Sequence, residues 1–178
     1  MSLNNLAARL TALGRGGEAL VPVQEAVELR RALTRQNPDA FKPAFPGSLN
    51  NLALCLSELG RREEALAPAQ EAVDLYRALA RQNPHAFRPD LAMSLGSLSR
   101  VMSRMNRHRE ATATLVEGIC LLQPQFTRLP EPFAPLMGEL VRHYREASRA
   151  AGAEPDLALL APIAEILQRL ERGEHEST

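Results

Sequence analysis

The sequence predicts an all-α protein: a solenoid of about four stacked helix pairs in 178 residues. Residues 2–47 recur almost unchanged as residues 48–93, with about 29 of the 46 positions identical, and a period of this kind is typical of solenoids. Within each copy the apolar residues recur at three- and four-residue steps, the spacing of one face of a helix. Aromatic residues make up only 4% of the chain, so Leu, Ala and Val form the core, which suits close helix packing.

The repeat continues in weaker form after the second copy. The third copy keeps Ser94 and Leu95 and has Asn106 where the second copy has Gly60. Asn is the next best residue for the left-handed end of a helix, and Gly152 falls on the same position in a fourth, degenerate copy. We expect a single domain over residues 1–178, with repeats at 2–47, 48–93 and 94–139, a degenerate capping helix pair at 134–172 and a tail at 173–178.

The second copy shows why each unit contains two helices. Leu49, Leu52 and Leu56 form one apolar stripe, which predicts the first helix. Gly60 ends that helix, because Gly takes positive φ without penalty. Glu63 opens the second helix, where the helix dipole favours an acidic residue.

Small residues mark the inward face of the second helix, at Ala65, Ala69 and Ala72, and they let two helices approach closely. The residue before a proline is pushed out of the α region, so Asn83-Pro84 closes this helix. We expect Pro-rich loops around 37–44 and 83–89. The predicted helices are 2–13, 17–36, 45–59, 63–82, 90–105, 109–123, 134–151 and 156–172.

This pattern resembles the tetratricopeptide repeat, a helix–turn–helix unit. The positions that carry the resemblance are Leu49, Leu52, Ala53, Leu56, Gly60, Ala65, Ala69 and Ala72. The long unit opened by Leu-Asn-Asn-Leu-Ala is similar to the repeats of kinesin light chain and of bacterial multi-repeat signalling proteins. The resemblance implies a right-handed α-α superhelix whose first helices line a concave groove. It also implies a non-catalytic scaffold or adaptor that binds a peptide or a partner protein.

On each first helix, the stripe beside the packing stripe is expected to face this groove. An Asn amide offers both donors and acceptors, so a ladder of Asn side chains is suited to clamping an extended peptide backbone. The basic end, with Arg100, Arg104, Arg142 and Arg149, favours acidic residues or a carboxylate of the ligand. The predicted peptide-binding residues are Asn4, Asn5, Asn50, Asn51, Leu54, Ser57, Glu58, Ser97, Arg100, Arg104, Arg142 and His143.

A plainer interpretation of the same residues stays open. The Asn pairs at 4 and 50 and at 5 and 51 would then bridge adjacent repeats, and the Arg residues would form a solvated face. The four His residues are scattered without metal-ligand spacing, so we expect no metal, no cofactor and no enzymatic activity. Cys55 and Cys120 both lie in apolar helical segments and are expected to be small buried hydrophobes.

Charge and hydropathy exclude several partners. The formal net charge is zero, so nothing attracts the whole chain to nucleic acid or to an anionic membrane. No apolar run reaches about 18 residues, and the N-terminus does not resemble a signal peptide. We therefore expect a cytoplasmic protein.

The N-terminal end lacks a cap, because the full internal-repeat pattern begins at Ser2. Two expectations follow: the chain is a fragment of a longer protein, or its N-terminal face forms a homo-oligomer. In the second case the protein would be a structural self-association module of a larger multi-repeat signalling protein. This is the alternative to the peptide-binding scaffold.

Overall fold

The protein is described by a computed structural model over residues 16–173. This part of the chain forms eight α-helices and no strand, which confirms the all-α prediction. The predicted helix at 2–13 and the tail beyond 173 lie outside the described residues. The helices are α1 (Gly16–Gln36), α2 (Pro38–Phe41), α3 (Phe45–Glu58), α4 (Arg62–Gln82), α5 (Pro84–Arg104), α6 (His108–Arg128), α7 (Pro130–Ala150) and α8 (Leu157–Glu171).

Seven of the eight helices form two layers, and α2 is a single short turn between α1 and α3. Apart from α2 and α3, consecutive helices pack against each other, and α3, α5 and α7 also pack in that order to form one layer. The other layer consists of α1, α4, α6 and α8, and in it ion pairs of 2.9 Å join Arg31 to Glu71 and Arg77 to Glu117. The two pairs lie one repeat apart, so the same contact recurs and the fold is a solenoid.

The tight turns inside each pair follow the pattern predicted from Gly60, Asn106 and Gly152. Their φ angles are 78°, 60° and 73°, so all three residues are left-handed, including the non-glycine Asn106. The residue after each one donates its backbone N–H to a carbonyl five residues back, at 2.9 Å. These bonds satisfy carbonyls that the helix end leaves free.

The expected Pro-rich loop at 83–89 is wrong, because α5 begins at Pro84. Asn83 caps the helix, its side chain accepting from the backbone N–H of Ala86 at 3.2 Å, and proline is preorganised for the first helical position. Pro89 lies further inside and has no N–H for the carbonyl of His85. The Gln125 side chain donates to that carbonyl at 2.8 Å. The neighbouring helix α6 therefore satisfies the group that proline leaves unpaired.

The equivalent stretch at 37–44 is only partly a loop. Asn37 caps the short helix α2, and three turn residues separate α2 from α3. This copy carries Pro46 in addition to Pro43, and each proline removes a backbone donor. The second proline explains why the helix is interrupted here and is continuous in the next copy.

The core depends on small residues where helices meet. Ala65, Ala69 and Ala72 are fully buried, as the repeat pattern predicts. Cys55 is buried as expected, but Cys120 is exposed on α6, so that expectation is wrong for one of the two cysteines. An apolar neighbourhood in sequence does not fix which face of a helix a residue occupies.

The last helix packs differently from the others. The fourth residue of α1, α4 and α6 is a fully buried Ala, whereas the fourth residue of α8 is Leu160. A cleft of about 550 Å³ lies between α7 and α8 beside Pro135 and Leu167. The turn before α8 is also longer than the earlier turns, running from Ala151 to Asp156.

Candidate functional site

Two adjoining cavities lie along the layer of α3, α5 and α7, and we refer to them together as the groove. The amide cavity has a volume of about 390 Å³ and the basic cavity about 480 Å³. They share Arg100, Glu139 and His143, so they form one continuous surface. All three layer helices contribute to it.

The amide cavity combines apolar side chains with the amide of Asn51, which has no hydrogen-bond partner among the described residues. Asn51 and Leu54 of α3 are half-buried and line it, with Met93 of α5 and Leu136 of α7 on the other sides. Met93 is 43% exposed. Such a surface can bond a peptide backbone through Asn51 and hold an apolar side chain beside Met93.

Three guanidinium groups line the basic cavity. Arg100 lies 3.9 Å from Glu139 and Arg142 lies 3.4 Å from Glu146, so these two charges are partly offset. Arg104 is exposed, and its Nη1 donates to the Ser57 hydroxyl at 3.3 Å. Within residues 16–173, no carboxylate lies at ion-pair distance from Arg104. This guanidinium therefore keeps donors for an anionic ligand group.

Asn50 lines the amide cavity as the sequence suggests, but little of its side chain is open to it. It is only 5% exposed, and its amide is bonded to the hydroxyl of Ser94 in the next first helix. The amide nitrogen donates at 2.7 Å and the Ser94 hydroxyl donates back to the amide oxygen at 2.9 Å. For this residue the bridging interpretation agrees with the structure. The expected ladder of amides therefore has one amide fewer to bond a ligand.

The interface between α5 and α7 has different residues at the positions of Asn50 and Ser94. Gly96 occupies the Asn50 position and Leu140 occupies the Ser94 position. A Cβ placed on Gly96 would lie 3.0 Å from the Leu140 side chain, so the glycine forms the space into which that leucine packs. The polar pair of one interface is replaced by an apolar contact in the next.

Other predicted residues divide between the groove and its surroundings. Ser57 is buried beneath Arg104, while Ser97 lines the amide cavity and donates its hydroxyl to the Met93 carbonyl at 3.2 Å. Glu58 and Arg149 are exposed but line neither cavity in the described part of the chain. Asn4 and Asn5 lie outside the described residues, so their place in the groove stays a prediction.

Several groove residues were missed by the sequence reasoning. Gly47, Met93 and Glu139 all line the amide cavity and are spaced by one repeat, so the repeat register itself could have identified them. His108 enters the basic cavity from α6, a second helix, and a search along first helices could not find it.

His143 lies between the two cavities and is half-buried. Burial lowers its pKa below the usual value, and the charges of Arg142 and Arg100 lower it further, against the opposite effect of Glu139 and Glu146. The Nδ1 atoms of His143 and His108 are both buried without a hydrogen-bond partner among the described residues. Both imidazoles therefore have unused hydrogen-bonding capacity.

Two further findings on the described residues concern metal sites and membrane spans. Between residues 16 and 173, no three His, Cys, Asp or Glu side chains are placed to hold a metal ion. None of the helices described is long and apolar enough to cross a membrane.

Comparison with known proteins identifies the repeat. Residues 1–39 and 47–84 match the family model of the tetratricopeptide repeat. The two matches begin one 46-residue period apart, in agreement with the spacing of the turns at Gly60 and Asn106. A search of curated proteins found no match.

Proposed function

We propose that this chain, which is a tetratricopeptide repeat protein, is a scaffold that binds an extended peptide or a segment of a partner protein in the groove. Tetratricopeptide repeats generally mediate protein–protein interactions and generally lack catalysis of their own. The observation that carries the proposal is the continuity of the two cavities through Arg100, Glu139 and His143. One ligand segment can therefore contact both.

The chemistry of the cavities suggests how the ligand lies. Asn51 would bond its backbone in the amide cavity, and an apolar side chain would pack against Leu54 and Met93. An acidic side chain or a terminal carboxylate would accept from Arg104 in the basic cavity, where Arg100 and Arg142 add positive charge. The ligand would thus be acidic at one end.

Charge reversal in the basic cavity tests this proposal. We expect Arg100→Glu with Arg104→Glu to lower the affinity for an acetylated, amidated hexa-aspartate peptide at least about tenfold, because two attractive charges become repulsive. Isothermal titration calorimetry measures the effect. The control is Arg62→Glu with Arg145→Glu, which changes net charge equally at exposed residues that line neither cavity. Equal losses in both double variants would show that only net charge matters and would contradict the proposal.

A further inference from the structure

We propose that the basic cavity takes up protons when it binds an acidic ligand, so that the groove binds such a ligand more tightly at pH 6 than at pH 8. The inference rests on the function proposed above and concerns the regulation of the same site. Two imidazoles carry it: His108 reaches the cavity from α6 and His143 from α7. They are the two histidines of the basic cavity.

Unused hydrogen-bonding atoms are the first observation. The Nδ1 atom of each imidazole is buried and has no partner within the described part of the chain. Leaving a buried polar atom unpaired is unfavourable. The two rings also line the cavity, so a ligand oxygen there can accept from an imidazole N–H. A neutral imidazole donates from only one nitrogen, whereas a protonated imidazole donates from both. An anionic acceptor therefore favours the protonated ring.

The surrounding charges are the second observation. Without a ligand, cations outnumber carboxylates in this cavity, and burial together with Arg142 and Arg100 lowers the pKa of His143, which favours its neutral form. A ligand carboxylate between the guanidiniums would offset this repulsion and favour the imidazolium. The titratable and charged groups that line the cavity are Arg100 and Arg104 from α5, His108 from α6, and Glu139, Arg142, His143 and Glu146 from α7.

The sign of the pH dependence follows from these charges. The pKa of His143 is below its usual value in the free protein and would rise in the complex, so binding is accompanied by proton uptake between the two values. Affinity then increases as pH falls through that window and levels off below the free pKa. Arginine stays charged throughout, so a site that used only its guanidiniums would bind independently of pH between 6 and 8.

Calorimetry with the hexa-aspartate peptide tests the inference, because aspartate stays ionised over this range. We expect wild-type affinity to be about 5- to 10-fold higher at pH 6 than at pH 8, since one pKa unit corresponds to about a factor of ten. Titrations in two buffers of different ionisation enthalpy should show net proton uptake. In the double variant His108→Asn with His143→Asn, the affinity ratio between the two pH values should fall to about one, because the amide does not titrate.

His85→Asn is the matched control, since His85 is exposed and lines neither cavity, and it should keep the wild-type ratio. Circular dichroism of each variant verifies the fold. Equal wild-type affinity at both pH values, or a pH dependence that survives in the double variant, would overturn the inference while the proposed function stands. Absence of peptide binding at both pH values would overturn the acidic-ligand function and this inference together.

Discussion

At the residue scale, Asn50 and Asn51 are adjacent and have different roles. Periodicity correctly places both beside the packing stripe of the first helix. Periodicity does not predict which of the two contacts the next repeat. The hydroxyl of Ser94 bonds to Asn50 and not to Asn51. The structural amide and the groove amide are therefore distinguishable only when the neighbouring repeat is in place.

We expect Asn50→Ala to lower the free energy of unfolding by about 1–3 kcal/mol, because it leaves the buried Ser94 hydroxyl without its partner. Urea denaturation measures the change. The control is Asn51→Ala, which removes a half-buried amide at the next position and should change stability by no more than about 0.5 kcal/mol. A similar loss in both variants would contradict the assignment of Asn50 to the inter-repeat contact.

At the element scale, composition predicts the second helices well and the starts of the first helices poorly. The stretch around Pro84 and Pro89 has the residues of a loop, yet it is the first turns of α5. Proline is tolerated because Asn83 caps the helix and because Gln125 of α6 bonds the carbonyl that Pro89 leaves free. That second reason depends on packing between helices, so local propensity alone cannot supply it.

Glycine substitutions separate helix propensity from helix packing. We expect Gly138→Ala in α7 to raise the free energy of unfolding by about 0.5–1 kcal/mol, since Ala favours a helix and the new Cβ meets no atom within 4 Å in the described structure. Gly96→Ala in α5 should instead lower it by about 1 kcal/mol, because its Cβ lies 3.0 Å from the buried Leu140 side chain. Thermal denaturation of both variants checks the contrast, which would be contradicted if both substitutions stabilised the protein.

At the scale of the whole molecule, the repeat determines most of what can be predicted. It leads to the solenoid, the left-handed turns and the groove stripe that contains Asn51, Leu54 and Arg100. It does not predict His108, because a second helix brings this residue into the basic cavity. Nor does it predict the separation of α8 from α7, or Leu160 at the position where the earlier second helices have a buried alanine.

This separation makes stability uneven along the solenoid. Helices α3 to α6 each pack closely against the next helix of the chain, while α8 packs sparsely on α7 beside an open cleft. We expect backbone amides of α8 to exchange with deuterium at least about tenfold faster than those of α6, because local opening of α8 breaks fewer apolar contacts. Native-state hydrogen exchange by mass spectrometry measures this, and equal protection of α6 and α8 would contradict it.

One interface between repeats has a polar pair and the next has an apolar contact. This difference also affects which repeats dock on each other during folding. Repeats this similar invite misassembly, in which one unit is skipped and a later helix docks on the wrong neighbour. If α7 docked on α3, Leu140 would lie against Asn50, and the buried amide would lose the hydroxyl that Ser94 now supplies. This mismatch would disfavour the docking of α7 on α3, so part of the order of assembly is encoded in these side chains.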